Sequence, residues 1–133
     1  MKLEGGCYCK ELRFVAEGEP MMMGQCHCRE CQYITGGSPN VFIAMPVNGF
    51  KYTKGTPKKF ARKDLPNPVT REFCAECGTH VATRPQGFPA IIVKVGTLDD
   101  PKAFSPKVAI YTCDKQPFHQ IPAGVPAFEK LPG

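Results

Sequence analysis

The sequence predicts an all-β domain of short strands, perhaps eight to ten of them, and three observations carry that prediction. Proline and glycine supply 14 and 13 of the 133 residues, a share that favours turns over helices. No window of eleven or more residues sustains a helical apolar period without a proline or glycine breaking it. Period-two and β-branched stretches recur instead, each bounded by turn formers. Neither a repeat nor a linker divides the chain, so residues 1–133 read as one domain, long enough to bury a core unaided.

Glu11–Gly18 alternates, placing Leu12, Phe14 and Ala16 on one face. Met21–Met23 reads as flexible packing or a loop ahead of a cysteine unit rather than a copper site. Asn40–Val47 is a short apolar strand. Lys51–Lys63 holds the one basic cluster and has strand-like alternation, so its charges read as a solvated face. Leu65–Val69, with two prolines, is the clearest loop. Arg71–Thr83 reads as two strands joined by a metal-binding turn. Ala90–Gly96 and Lys107–Thr112 are further strands, and Leu98–Phe104 offers acidic residues and a proline for one helical turn.

The formal charge of +5 raises the question of an acidic partner. Seven cysteines bound as thiolates to two zinc ions would add seven negative and four positive charges, lowering the sum to +2. With the basic residues also scattered, nucleic acid is not the expected partner. The N-terminus has no apolar signal region, and no uncharged apolar run is long enough to span a bilayer. A cytoplasmic protein is expected, with no membrane partner. In a reducing compartment the eight cysteines point to metal rather than disulfides.

Seven of those cysteines fall into three units. Cys7-x-Cys9 is followed after sixteen residues by Cys26-His27-Cys28-x-x-Cys31, and after forty-two more by Cys74-x-x-Cys77-Gly78. In an extended segment, residues i and i+2 face one side, so Cys7 with Cys9 and Cys26 with Cys28 can each offer two sulfurs to one ion. Cys74-x-x-Cys77-Gly78 reads as a knuckle whose glycine accepts a positive φ. Soft thiolates in tetrahedral geometry suit zinc. Four sulfurs close a structural site, and three leave a second site with an open position. Spacing does not fix the partition: Cys7 and Cys9 can equally pair with Cys26 and Cys28, leaving Cys31, Cys74, Cys77 and His80.

The combination GGCYCKELRF, CHCRECQYITGG, REFCAECGT and VGTLDDP, ending in KQPF, resembles the glutathione-dependent formaldehyde-activating (GFA) or centromere-protein-V domain family over nearly the whole chain. The resemblance implies a zinc-pinned sandwich of the Mss4-like or β-tent type. It implies two zinc ions per chain, with Cys7, Cys9, Cys74 and Cys77 holding a structural one. Cys26, Cys28 and Cys31 would hold the second, open one. It implies a carbon–sulfur lyase that promotes formation of S-hydroxymethylglutathione, hence a thiol or thiol–aldehyde adduct as partner, with glutathione the family's own thiol. The chain departs from the family pattern at Ala109 and Ile110, where many members carry histidine–isoleucine. It departs again at Pro117 and Phe118, where Pro-Trp is usual. These positions bear on glutathione and leave the zinc ligands complete.

Other residues have bland readings beside functional ones. His27 lies between two ligands and, in an extended chain, points away from their metal. His80 reads as a pocket residue rather than a ligand, and His119 as a solvated histidine near the open site. Cys113 reads as a buried strand thiol. Arg29 and Arg71 suit a substrate carboxylate but are expected to be exposed. Gly36 and Gly37 fit either a turn or close approach of backbone to a ligand. Two other function classes stand beside the lyase: a non-catalytic zinc-binding interaction module on the same fold, and a secreted disulfide protein.

Overall fold

Ten strands and one α-helix form among residues 1–132, which the computed structural model describes. In chain order they are β1 (Lys2–Gly6), β2 (Arg13–Glu17), β3 (Met22–Cys26), α1 (Arg29–Thr35), β4 (Asn40–Pro46) and β5 (Phe50–Lys54). Then come β6 (Lys58–Phe60), β7 (Thr70–Phe73), β8 (His80–Arg84), β9 (Ala90–Lys94) and β10 (Val108–Ile110). The fold is mainly β, as the turn-rich composition predicts.

The strands make two sheets. A small antiparallel one has the order β1-β2-β5, and a seven-stranded one the order β10-β3-β4-β9-β8-β7-β6. In the large sheet only β10 runs parallel to its neighbour, β3.

Alternation along β4 explains how that sheet serves two cores. Ile43 and Met45 turn toward the small sheet and pack with Leu3, Phe14, Phe50, Ile91 and Val93. Phe42 and Ala44 turn the other way and pack with Val108, Ile110, Cys26 and Cys31, the last on α1. Phe14 stacks on Phe50 with ring centroids 5.2 Å apart.

Each predicted strand is present, with ends that differ from the expected bounds by one to three residues in either direction. The basic stretch forms β5 and β6, whose lysines are exposed. Pro101–Ala103 makes the expected turn, capped by Asp100, whose carboxylate accepts from the Lys102 N–H at 3.2 Å. The helix α1 and the strand β3 are corrections. Met22 and Met23 are paired in β3, where Met23 packs on the larger core and Met22 on the smaller one, so of the two readings of Met21–Met23 packing holds and a loop does not. At seven residues, α1 is shorter than the eleven-residue window a helical period needs. Its ends hold it instead. The Cys28 sulfur accepts the Cys31 N–H at the start, and Gly36 turns left-handed, φ 78°, at the end.

Phe14 is 1% exposed and central to the larger core. Phe14→Ala is expected to cost about 3–5 kcal/mol, read as a lower guanidinium midpoint with an unchanged slope.

Candidate metal centres

The structure resolves the partition that spacing leaves open. The sulfurs of Cys7, Cys9, Cys74 and Cys77 lie within 4.8 Å of one another, and those of Cys26, Cys28 and Cys31 form a second such group. His80 belongs to neither. All eight cysteines are free thiols, against the disulfide reading.

The four-sulfur group joins the turn after β1 to the turn between β7 and β8. Cys7 and Cys9 are not extended, as the i, i+2 argument supposes; Lys10, at φ 71°, closes a tight turn whose N–H returns to the Cys7 carbonyl at 3.1 Å. That turn still brings the two sulfurs to 3.6 Å, and Cys9 to 3.7 Å from Cys74. A tetrahedral ion with metal–sulfur bonds of about 2.3 Å sets sulfurs about 3.8 Å apart, so the donor set fits zinc. The Leu12 N–H donates to the Cys7 sulfur at 3.2 Å, and Gly78 takes the predicted positive φ, 76°, as its N–H closes on Cys74. Cys77 is held down to about 5 by its hydrogen bonds from Thr79.

The three-sulfur group sits where β3 runs into α1. Cys26 ends the strand, Cys28 caps the helix and Cys31 lies one turn on. Its donor set fits a tetrahedral ion with one position left over. Without a cation the three cannot ionise together. Hydrogen bonds from Cys26, then Cys31, push Cys28 down to about 2, while those with Cys28 and Cys31, and then burial, drive Cys26 far up.

His27 points away from the sulfurs, as expected, but into the protein: it is 0% exposed. His119 is 3% exposed, a correction to the solvated reading. Their Nδ1 atoms are 2.9 Å apart. The surrounding bonds fix the tautomers. His119 Nε2–H donates to the Gly37 carbonyl at 2.7 Å, leaving its Nδ1 to accept from the Gln116 N–H and His27 Nδ1–H. His27 Nε2 then accepts from the Gln25 amide at 3.0 Å, whose nitrogen also donates to the Gln120 carbonyl. Both rings are neutral. Together they tie the 116–120 segment to the metal loop and to the turn after α1. No composition or spacing signal points to this pairing, because the partners are 92 residues apart.

Cys113 is exposed in a single 3-10 turn, not buried in a strand, because β10 stops at Ile110 and Tyr111 turns left-handed at φ 55°. Arg71 is another correction. It is largely buried, bound to Glu30 of α1 at 2.9 Å and to Thr83 at 3.3 Å. Arg29 is exposed, over the Tyr33 ring. His80 lines a cleft of about 210 Å³ with Lys94 and Asn40, which agrees with the pocket reading.

The model of the family described as glutathione-dependent formaldehyde-activating enzyme matches residues 2–114. The chain belongs to this family. The matched span contains all seven clustered cysteines and ends before His119. A crystal structure of a Rhodobacter sphaeroides protein is similar, at TM-score 0.58 and 18% identity, over 77% of this chain and 94% of that one. At that identity the likeness is one of fold. No curated protein matches the chain. Among the described residues no helix is long and apolar enough to cross a membrane.

Burial, with a smaller contribution from the Lys115 charge, lowers the His27 pKa. A histidine depressed in the native state contributes stability above its unfolded pKa of about 6.5, lost as pH falls below it. Urea unfolding from pH 7 to 5 is expected to show a steeper loss for the wild type than for His27→Gln, which keeps the shared thiolate contribution.

Proposed function

We propose that this chain is a zinc-dependent, carbon–sulfur lyase-like enzyme acting on a thiol adduct of a small aldehyde, of the S-hydroxymethylglutathione synthase type. In this reading Cys7, Cys9, Cys74 and Cys77 hold a structural zinc, and Cys26, Cys28 and Cys31 a second, open one. The observation that supports it most is the count of sulfurs, four in one cluster and three in the other, within a family named for formaldehyde activation.

When bound at the open site, zinc supplies a coordination position for a substrate thiolate and lowers that thiol's pKa. The rest is done by the chain. Three thiolates on a divalent ion sum to −1, which suits holding a soft sulfur better than making hydroxide from water. The Cys31 N–H steadies the Cys28 sulfur at 3.3 Å, and the helix it begins fixes the spacing of Cys28 and Cys31. The His27–His119 pair holds the loop from behind without adding charge. Gly37, whose carbonyl that pair engages, keeps the turn after α1 in place. Eight free thiols favour the reducing cytoplasm as the place of work.

Metal analysis of protein purified without chelators tests this. About two zinc ions per chain are expected for the wild type, and about one for a Cys28→Ser variant that keeps its circular dichroism. Cys74→Ser is expected to lose the fold as well as metal, since a structural site couples binding to folding. One zinc in both folded proteins would leave only the closed site and favour a binding module.

A further inference from the structure

Lys94 is the anomaly of the large sheet. It ends β9 at 8% exposure, and its Nζ is fully buried with no hydrogen-bond partner. An ammonium has three N–H donors and is costly to bury without acceptors. The Nδ1 of His80, at the start of neighbouring β8, is likewise buried and unpartnered. Both residues line the same cleft of about 210 Å³.

That cleft adjoins the three-sulfur group. Asn40, on its wall, is the register partner of Cys26, and Lys94 pairs with Phe42 two residues along the same strand. Lys94 is close enough for the charges of Cys31, Cys26 and Cys28 to act on it. Burial lowers the Lys94 pKa to about 8, and attraction to those sulfurs offsets only part of that cost. That attraction does not explain three idle donors. Ile34, Pro39 and Val41 give the cleft an apolar side, suited to a methylene stem.

We propose that this cleft is a carboxylate subsite: a small thiol with a carboxylate a few carbons from its sulfur places the carboxylate on Lys94 Nζ and His80 Nδ1. This rests on reading Cys26, Cys28 and Cys31 as the place where that sulfur binds. Arg71, the other nearby cation, is already committed to Glu30, so it does not compete for the carboxylate.

Cobalt-substituted protein titrated with 3-mercaptopropionate and with 2-mercaptoethanol, followed by the thiolate-to-cobalt absorption, provides the test. The wild type is expected to bind the mercaptocarboxylate about tenfold tighter, the worth of one charge-assisted hydrogen bond, and Lys94→Met to bring the two within about twofold. The ammonium has no partner to lose, so the Met variant is expected to keep the fold. Equal affinities in the wild type, or a Lys94→Met variant that weakens both thiols alike, would overturn the subsite and leave Lys94 a counter-charge. If neither thiol changes the spectrum, the open-site reading is what fails. Sodium propionate then decides the cleft alone: it should raise the melting temperature of the wild type and not of Lys94→Met, and a shift in neither overturns the proposal.

Discussion

Thiolates crowded within 4.8 Å of one another repel, and the relief of that repulsion is the constraint on which the rest of this structure depends. Cys7 and Cys9 leave the small sheet, while Cys74 and Cys77 belong to the β7–β8 turn of the large one, 65 residues further along between Cys9 and Cys74. A cation shared by all four would tie the sheets together at one end of their common core, and both Cys7 and Cys74 are members of that core. A clip across so long a loop removes much chain entropy from the unfolded state. The tight turns at Lys10 and Gly78 are the local means; neither cluster half depends on strand geometry.

The second cluster answers a different need. The large sheet has two apolar faces, and the small sheet covers only one. The other is closed by α1, a helix of seven residues, and by the segment following β10. Alone, a two-turn helix is unstable in water. Here its first turn is organised by the Cys28 sulfur, which accepts from the Cys31 N–H, and its end by Gly36, while Arg71 from β7 grips Glu30 on its flank. The thin cover leaves little room to bury a full coordination shell. A three-sulfur site at its edge is what the topology permits.

Much of this was legible in the residues. Strands such as β4 and β9 announce themselves through β-branched runs between turn formers, and the cysteine units announce metal through spacing. The partition of the cysteines was legible only by family resemblance, because C-x-C spacing is compatible with either pairing until the strand order is known. The helix escaped because its signal lies in its caps, with sulfur in the place usually taken by an oxygen. His119 and Lys94 escaped for a third reason. A histidine near a chain end and a lysine at a strand end look solvated in a one-dimensional pattern, and their burial follows from contacts at separations such as 92 residues.

The charge pattern around the open cluster links these features. Three thiolates with one divalent ion leave a net −1, which a thin apolar cover cannot screen as water would. The groups packed behind the loop answer with neutrality: the two imidazoles are locked uncharged by the carbonyls and amides they engage, so that side neither repels the sulfurs nor competes as a ligand. On the cleft side the fold places a cation with no carboxylate partner, Lys94, and the attraction it exerts on the cluster carries no hydrogen-bond requirement of its own. On the proposed reading, a ligand bringing negative charge would be drawn to the cleft lined by Ile34 of α1, His80 at the start of β8 and Lys94 at the end of β9, and an anionic sulfur would suit both the open coordination position and that field.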